Sequence, residues 1–187
     1  MPQPLVILDR DGVINHDSDD YIKSVDEWIP IPGSIEAIAD LSKAGFLILV
    51  ASNQSGLARG YFDAISLANI HSYMSSLVED AGGKIDAVFF CPHAPDEDCN
   101  CRKPRTGLLD QIEEEFSLSV KGAYFIGDTE KDIDAALTKL CRPILVRTGK
   151  GATVEQSLTS DKKAKTIIVD DLHAASDLIL KSHINPG

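Results

Sequence analysis

The chain has 187 residues, 43% hydrophobic and 25% charged, which matches one globular domain with a sizeable core. Its formal net charge of −11 argues against nucleic acid and anionic membrane surfaces as partners, though a few local cations can still dominate a small-molecule pocket. The longest clear apolar run, FLILVA at 46–51, falls far short of the ~20 residues of a membrane span, and no basic-then-apolar leader opens the chain, so a cytoplasmic protein is expected.

The elements alternate between strand and helix. PLVIL (4–8) is a short apolar run, too short for a helix, that breaks at DRDG. Residues 34–45 carry Ile35, Ile38, Ala39 and Leu41 at helical spacing, with Gly33 or Ser34 at the start and Gly45 at the end. FLILVA (46–51) is the next strand, followed by the loop SNQSGLARG. A helix is expected over 63–82, opened by Asp63 and closed by Gly82-Gly83. AVFF (87–90) is a strand that runs into CPHAPDEDCNCRKP. A helix over 106–116, a strand over 123–126 ending at GDTEKD, and a helix over 131–140 follow. Two strands (143–146 and 166–169) and a helix (172–181) complete the pattern. The polar stretch 149–165, GKGATVEQSLTSDKKAK, reads as a mobile excursion.

These strands are apolar throughout rather than alternating, as parallel strands covered by helices on both faces are. The expected fold is α/β, a doubly wound parallel sheet in one domain spanning 1–187. Ligands of such sheets bind beyond the carboxyl ends of the strands. Asp9 and Asp11 follow the first strand, Ser52 and Asn53 the second, the cysteine loop with Arg102 and Lys103 the third, and Asp128 the fourth. The unusual chemistry therefore falls on one edge.

LDRDG places two aspartates two apart at a strand end, with Gly12 free to turn the chain and bring Asp11 beside Asp9. DxDG alone also fits a turn with solvated acids. Joined by Asp128 of GDTEKD, the carboxylates would repel one another unless a hard cation such as Mg²⁺ joined them. A carboxylate of this kind can attack a phosphate monoester to form an acyl-phosphate, while a second acid serves the leaving group and then the attacking water. Ser52 and Lys103 supply donors for phosphoryl oxygens.

Cys91, His93, Cys99 and Cys101 lie within eleven residues. They form a closed Cys₃His set, the usual arrangement for structural Zn²⁺, with no position left for water or substrate. The other reading is a set of reduced, unliganded thiols. The loop (91–101) would bend the chain so that Lys103 meets the phosphate without an ordering cost. Cys141 has no partner in the sequence and reads as a core thiol.

LDRDGVIN, ASNQSGLARG, CPH…CNCRKP and IGDTEKD together resemble the haloacid-dehalogenase-like phosphatases. More narrowly they resemble the branch that holds heptose bisphosphate 7-phosphatases and histidinol-phosphatases. The resemblance extends from about residue 4 to about residue 150 and implies no large cap domain; nothing in the sequence suggests an obligate dimer, and a monomer is expected. It implies Asp9 as nucleophile and Asp11 as general acid/base, with Mg²⁺ on Asp9, the Asp11 carbonyl and Asp128. It implies Ser52 and Lys103 on the phosphoryl group, and Arg102, Asn53, Gln54 and Ser55 with Asp17 and Tyr21 at a phosphorylated sugar. Asp132 would orient Lys103 or a metal-bound water. The loop HDSDDY is slightly longer than the family's, and Thr129 stands where a lysine or arginine is common. The substrate implied is heptose 1,7-bisphosphate; histidinol phosphate is the alternative on the same scaffold. A non-catalytic binding module would be expected to lack Asp9 or Asp11, and both are present. A nucleic-acid 3′-phosphatase is disfavoured by the charge.

Overall fold

The computed structural model describes residues 3–184. Six parallel strands form one sheet in the order β3-β2-β1-β4-β5-β6. They are β1 (Leu5–Leu8), β2 (Leu47–Asn53), β3 (Ala87–Cys91), β4 (Tyr124–Gly127), β5 (Arg142–Val146) and β6 (Ile167–Val169). The helices between them are α1 (Ser34–Lys43), α2 (Ala64–Asp80), α3 (Gly107–Phe116), α4 (Glu130–Thr138), α5 (Gly151–Ser157), α6 (Ser160–Lys165) and α7 (Leu172–Ile184). Asp63 caps α2 by accepting from the Ser66 amide, and Gly33 precedes α1 in the left-handed region at φ 82°.

The strands are apolar on both faces because both are covered. Val6, Leu8, Ile48 and Val50 pack with α1, α2 and α7, while Leu5, Ile7, Leu47 and Leu49 pack with α3 and α4. Successive residues thus feed opposite layers. Between β1 and α1 the chain forms only a 3-10 turn (Val25–Glu27) and short bridges, so no large cap is present there. No helix among the described residues is long and apolar enough to cross a membrane.

The chain winds from β1 to β3 in one direction and from β4 to β6 in the other. β1 pairs with both β2 and β4, so the order reverses beside β1. In open parallel sheets that reversal leaves a crevice at the strand ends. The residues that follow β1 and β4, Asp9 and Asp128, face each other across it.

One expectation is corrected. Residues 149–165 are not an excursion: most of them form α5 and α6. Val154 and Leu158 pack on Ile133 and Leu145, Thr159 caps α6 by accepting from the Lys162 amide, and Lys162 pairs with Glu130 and Asp134 of α4. Two apolar anchors in so polar a stretch leave little periodicity to read, and the ion pairs come from elsewhere in the chain.

Candidate active site

Asp9 continues the line of β1, its amide donating to Ile126 O at 2.9 Å. Its Oδ1 accepts from the Arg10 amide at 2.8 Å and lies 3.0 Å from Lys103 Nζ. The same ammonium donates to Ala51 O at 2.7 Å and Asp132 Oδ1 at 2.6 Å, and Lys103 is 1% exposed. Asp132 also closes the N-terminal capping box of α4 with Thr129. Thr129, where the family often carries a cation, is therefore a helix cap.

Asp128 is enclosed by backbone. A Cβ at Gly12 or at Gly149 would stand 2.1 or 2.2 Å from Asp128 Oδ2, and both glycines have positive φ, so no side chain fits at either position. Asp128 Oδ2 accepts from the Lys150 amide at 2.9 Å. Its Oδ1 is buried with no hydrogen-bond partner among the described residues. Carboxylate oxygens of Asp9, Asp128 and Asp132 gather within 4.8 Å of one another.

Burial, then the charge of Asp132, pushes Asp9 well above the usual carboxylate range. The same two causes raise Asp128 to about 7. Burial alone would lower Lys103, but Asp132 and Asp9 more than offset it and hold the ammonium charged. A divalent cation would relieve this repulsion and occupy the orphaned Asp128 Oδ1. The all-oxygen donor set suits a hard ion such as Mg²⁺.

The Asp11 side chain is held apart from that group. Arg10 Nη2 donates to both its oxygens at 2.9 and 3.0 Å, and Arg10 Nε donates at 3.1 Å. Asn15 Nδ2 and Gln54 Nε2 add bonds at 2.8 and 2.9 Å. Burial pushes Asp11 up, yet the Arg10 charge and these hydrogen bonds more than offset it, and the net shift is downward. Gln54 Nε2 is also 2.7 Å from Ser52 Oγ, so one amide joins the serine to the acid. Arg10 is fully buried and lies 3.3 Å from His71 Nε2 through Nη1. His71 is lowered to about 4 by burial and then by Arg10. Sequence reading missed Arg10, Asn15 and His71. The one available signal was an arginine between two aspartates at a strand end, where a buried cation needs a carboxylate close by.

Asn53 spends its amide on the loop: Nδ2 donates to Lys103 O at 3.1 Å and Oδ1 accepts from Lys103 N at 3.0 Å. Asp9, Asp11, Asp17, Tyr21, Asn53, Gln54, Ser55, Arg102, Lys103 and Asp128 all line one cleft of about 270 Å³. Ser52 is buried behind Gln54. Lys131 and Lys150, not singled out in the sequence, line the cleft as well. Tyr21, at φ 65°, stacks on Tyr61 with ring centroids 4.9 Å apart.

Cys91 ends β3, and the next ten residues fold back on it. Cys91 Sγ lies 3.5 Å from Cys99 Sγ and 3.6 Å from His93 Nδ1, and His93 Nδ1 lies 3.3 Å from Cys101 Sγ. All four ligand atoms fall within 4.8 Å of one another. Tetrahedral zinc with Zn–S of about 2.3 Å needs sulfur separations near ~3.8 Å, so the four side chains fit such an ion. Burial pushes Cys91 up to about 12. For Cys99 the Arg102 amide and the neighbouring thiols outweigh burial and bring it down to about 7. Cys141 is separate, a buried thiol that donates to Val120 O at 3.3 Å, as a core cysteine does.

A family model described as HAD-hydrolase-like matches residues 100–175. The chain is 50% identical over 181 residues to the D-glycero-beta-D-manno-heptose-1,7-bisphosphate 7-phosphatase of Pseudomonas aeruginosa, covering 97% of this chain and 100% of that one. It is 42% identical to the enzyme of the same name from Neisseria meningitidis serogroup A, covering 97% of each chain. The crystal structure of D,D-heptose 1,7-bisphosphate phosphatase from Bordetella bronchiseptica, complexed with magnesium and phosphate, matches with a TM-score of 0.91 at 42% identity, covering 96% of this chain and 99% of that one.

Proposed function

The chain belongs to the haloacid-dehalogenase-like phosphatases, among the D-glycero-D-manno-heptose 1,7-bisphosphate 7-phosphatases, and from that premise we propose how its own residues carry out the reaction. It is a phosphoric monoester hydrolase that removes the 7-phosphate of heptose 1,7-bisphosphate, and the names of its relatives favour the β anomer. Of the two substrates that the motifs left open, histidinol phosphate is the less favoured.

Asp9 attacks phosphorus while Lys103, 3.0 Å from its carboxylate, neutralises the incoming phosphoryl oxygens. The bond from phosphorus to the C7 oxygen breaks, and Asp11 gives that oxygen a proton. Water then attacks the phospho-aspartyl group, Asp11 takes the water's proton, and Asp9 is restored with release of phosphate. In the free enzyme Arg10 holds Asp11 ionised, the form that the second half-reaction needs. Arrival of a phosphate dianion disfavours that charge and supplies the protonated form for the first. Mg²⁺, held by Asp9, the Asp11 carbonyl and Asp128, would screen the approach of a carboxylate to a phosphate. Asp132 positions Lys103. Ser52, tied to Gln54, offers its hydroxyl to the phosphoryl group, and Asp17, Tyr21, Asn53, Gln54, Ser55 and Arg102 surround the sugar.

Cys91, His93, Cys99 and Cys101 would hold Zn²⁺ as a closed structural site that sets the path of the chain into Arg102 and Lys103. Reduced thiols at this knot fit a reducing compartment such as the cytoplasm. One six-stranded sheet carries all the groups assigned here, which supports a single domain.

The observation that carries the reading is the buried Lys103 ammonium placed between Asp9 and Asp132 at the switch-point crevice. The test is phosphate release with Mg²⁺ from both anomers of heptose 1,7-bisphosphate and from histidinol phosphate. The expected result is the highest kcat/KM for the β-heptose substrate. A higher value for histidinol phosphate would overturn the substrate assignment and leave the chemistry standing.

A further inference from the structure

Three turns meet at Asp128. The carboxylate follows β4, and it is enclosed by the turn after β1, at Gly12, and by the turn after β5, at Gly149. A Cβ on Gly149 would also stand 2.6 Å from Gly12 Cα, so these two turns lie backbone against backbone with no room for a side chain between them. One hydrogen bond joins them among the described residues. Thr148 Oγ1 donates to Gly12 O at 2.7 Å, across 136 positions of sequence. The steps of hydrolysis give Thr148 no role.

Both ends of this bond lead directly to metal ligands. On one side, the Gly12 amide shares a peptide plane with the Asp11 carbonyl and donates to Asn15 O at 2.8 Å. The Thr148 hydroxyl holds the next carbonyl along, and the two bonds together set where the Asp11 carbonyl points. On the other side, Lys150 gives its amide to Asp128 Oδ2 at 2.9 Å, which leaves Oδ1 as the oxygen without a partner among the described residues. The turn itself is tight. Thr148 O accepts from the Gly151 amide at 3.0 Å, and a Cβ on Gly151 would stand 1.6 Å from Val146 O. Residues 148–151 would therefore shift as a unit, and the Thr148 hydroxyl is the tie that holds that unit against the β1 turn.

We propose that Thr148 is a positioning residue for the Mg²⁺ site: its hydroxyl locks the β5 turn onto the β1 turn, so that Asp128 keeps one oxygen for the cation and the Asp11 carbonyl is held in place beside it. The inference rests on the Mg²⁺ assignment above. Hydrogen-bond partners one step removed from a metal's ligands fix the orientation of those ligands, and losing one weakens metal binding by about ten- to a hundredfold. A staple that served the fold alone would behave differently. Its loss would lower the stability of the metal-free protein and leave the affinity for the cation as it was.

The test titrates Mn²⁺, which takes the same oxygen ligands as Mg²⁺, into the protein stripped of Mg²⁺, and follows the free ion by electron paramagnetic resonance. Wild type is compared with Thr148→Val, Thr148→Ala and Thr148→Ser. The valine and alanine variants should each raise the Kd for Mn²⁺ by about tenfold or more, and the serine variant, which keeps the hydroxyl, should stay close to wild type. Alanine repeats the measurement without a methyl group set against Gly12 O, so a valine variant that folds poorly does not end the test. Melting temperatures without metal are read on the same samples. A wild-type Kd in the valine or alanine variant, whatever its melting temperature, overturns the role of Thr148, and so does a serine variant as weak as the alanine one. A wild type that takes up no Mn²⁺ overturns the metal assignment itself, and the role of Thr148 with it.

Discussion

The ammonium of Lys103 lies 2.6 Å from Asp132 Oδ1, and the two side chains are 1% and 2% exposed. Asp9 and Asp128 share the same pocket of carboxylates with Asp132, so one buried cation faces three buried acids. The excess of two negative charges is what a divalent cation would neutralise. Asp132 belongs to the first turn of α4, and through this contact the helix fixes where the lysine stands relative to Asp9.

Removing the cation should therefore be costly. Lys103→Met leaves Asp9 and Asp132 buried without a counter-charge, and a broken buried pair costs about 3–5 kcal/mol. Urea unfolding without divalent cation would measure it, and adding Asp132→Asn to Lys103→Met should recover part of the loss. A loss under about 1 kcal/mol, the scale of an exposed pair, would mean that the contact does not act as a buried one.

Asp9→Asn should abolish turnover, by roughly 10³-fold or more, while circular dichroism and melting remain those of a folded chain. Asparagine keeps the shape but cannot form the acyl-phosphate. Near-normal rates would remove Asp9 from the role of nucleophile.

Asp128 gives a stability signature with a definite sign. Its folded value is raised from 3.8 to about 7 by burial and by Asp132. Over that interval the folded chain holds a proton that the unfolded chain has lost, so stability falls as pH rises from about 4 to about 7. Without metal, wild type should lose melting temperature relative to Asp128→Asn across this window, and the variant should be the more stable at pH 8. Saturating Mg²⁺ should reverse that order, since the cation binds the ionised carboxylate. Parallel melting curves for the two proteins without metal would contradict the account.

Arg10 is expected to tune Asp11. Burial raises this acid, and the Arg10 charge, with help from Asn15 and Gln54, brings it below its usual value. In Arg10→Met the largest lowering cause is gone, so the acidic limb of the pH profile for hydrolysis of the phospho-enzyme, the half-reaction that needs ionised Asp11, should move to higher pH. A profile of reduced height with an unmoved limb would assign Arg10 a purely structural role.

Cys99→Ala should lower zinc content and phosphatase activity together, because the knot leads directly into Arg102 and Lys103. Zinc content by mass spectrometry and phosphate release on the same preparation test this. Full activity in a zinc-free protein would separate the knot from the placement of Lys103.

The strands and the edge on which polar residues collect could be read from the order of residues. Unbroken apolar runs require two covered faces, hence parallel strands, and parallel strands all end on one side. That is why Asp9, Ser52, Lys103 and Asp128 were legible as neighbours, while the spacing of Cys91, His93, Cys99 and Cys101 in one loop was itself enough to mark a set that could hold a metal. The rest came from contacts between residues distant in the chain. The reversal beside β1 set Asp9 against Asp128. The Lys103–Asp132 contact joins residues 29 apart and the Lys150–Asp128 contact residues 22 apart, and local periodicity carries nothing about such pairs. The chain 149–165 became helical through Val154 and Leu158 packing on Ile133 and Leu145. Arg10 was an ordinary loop residue in the sequence; packing buried it completely, and burial of a charge is what commits it to Asp11.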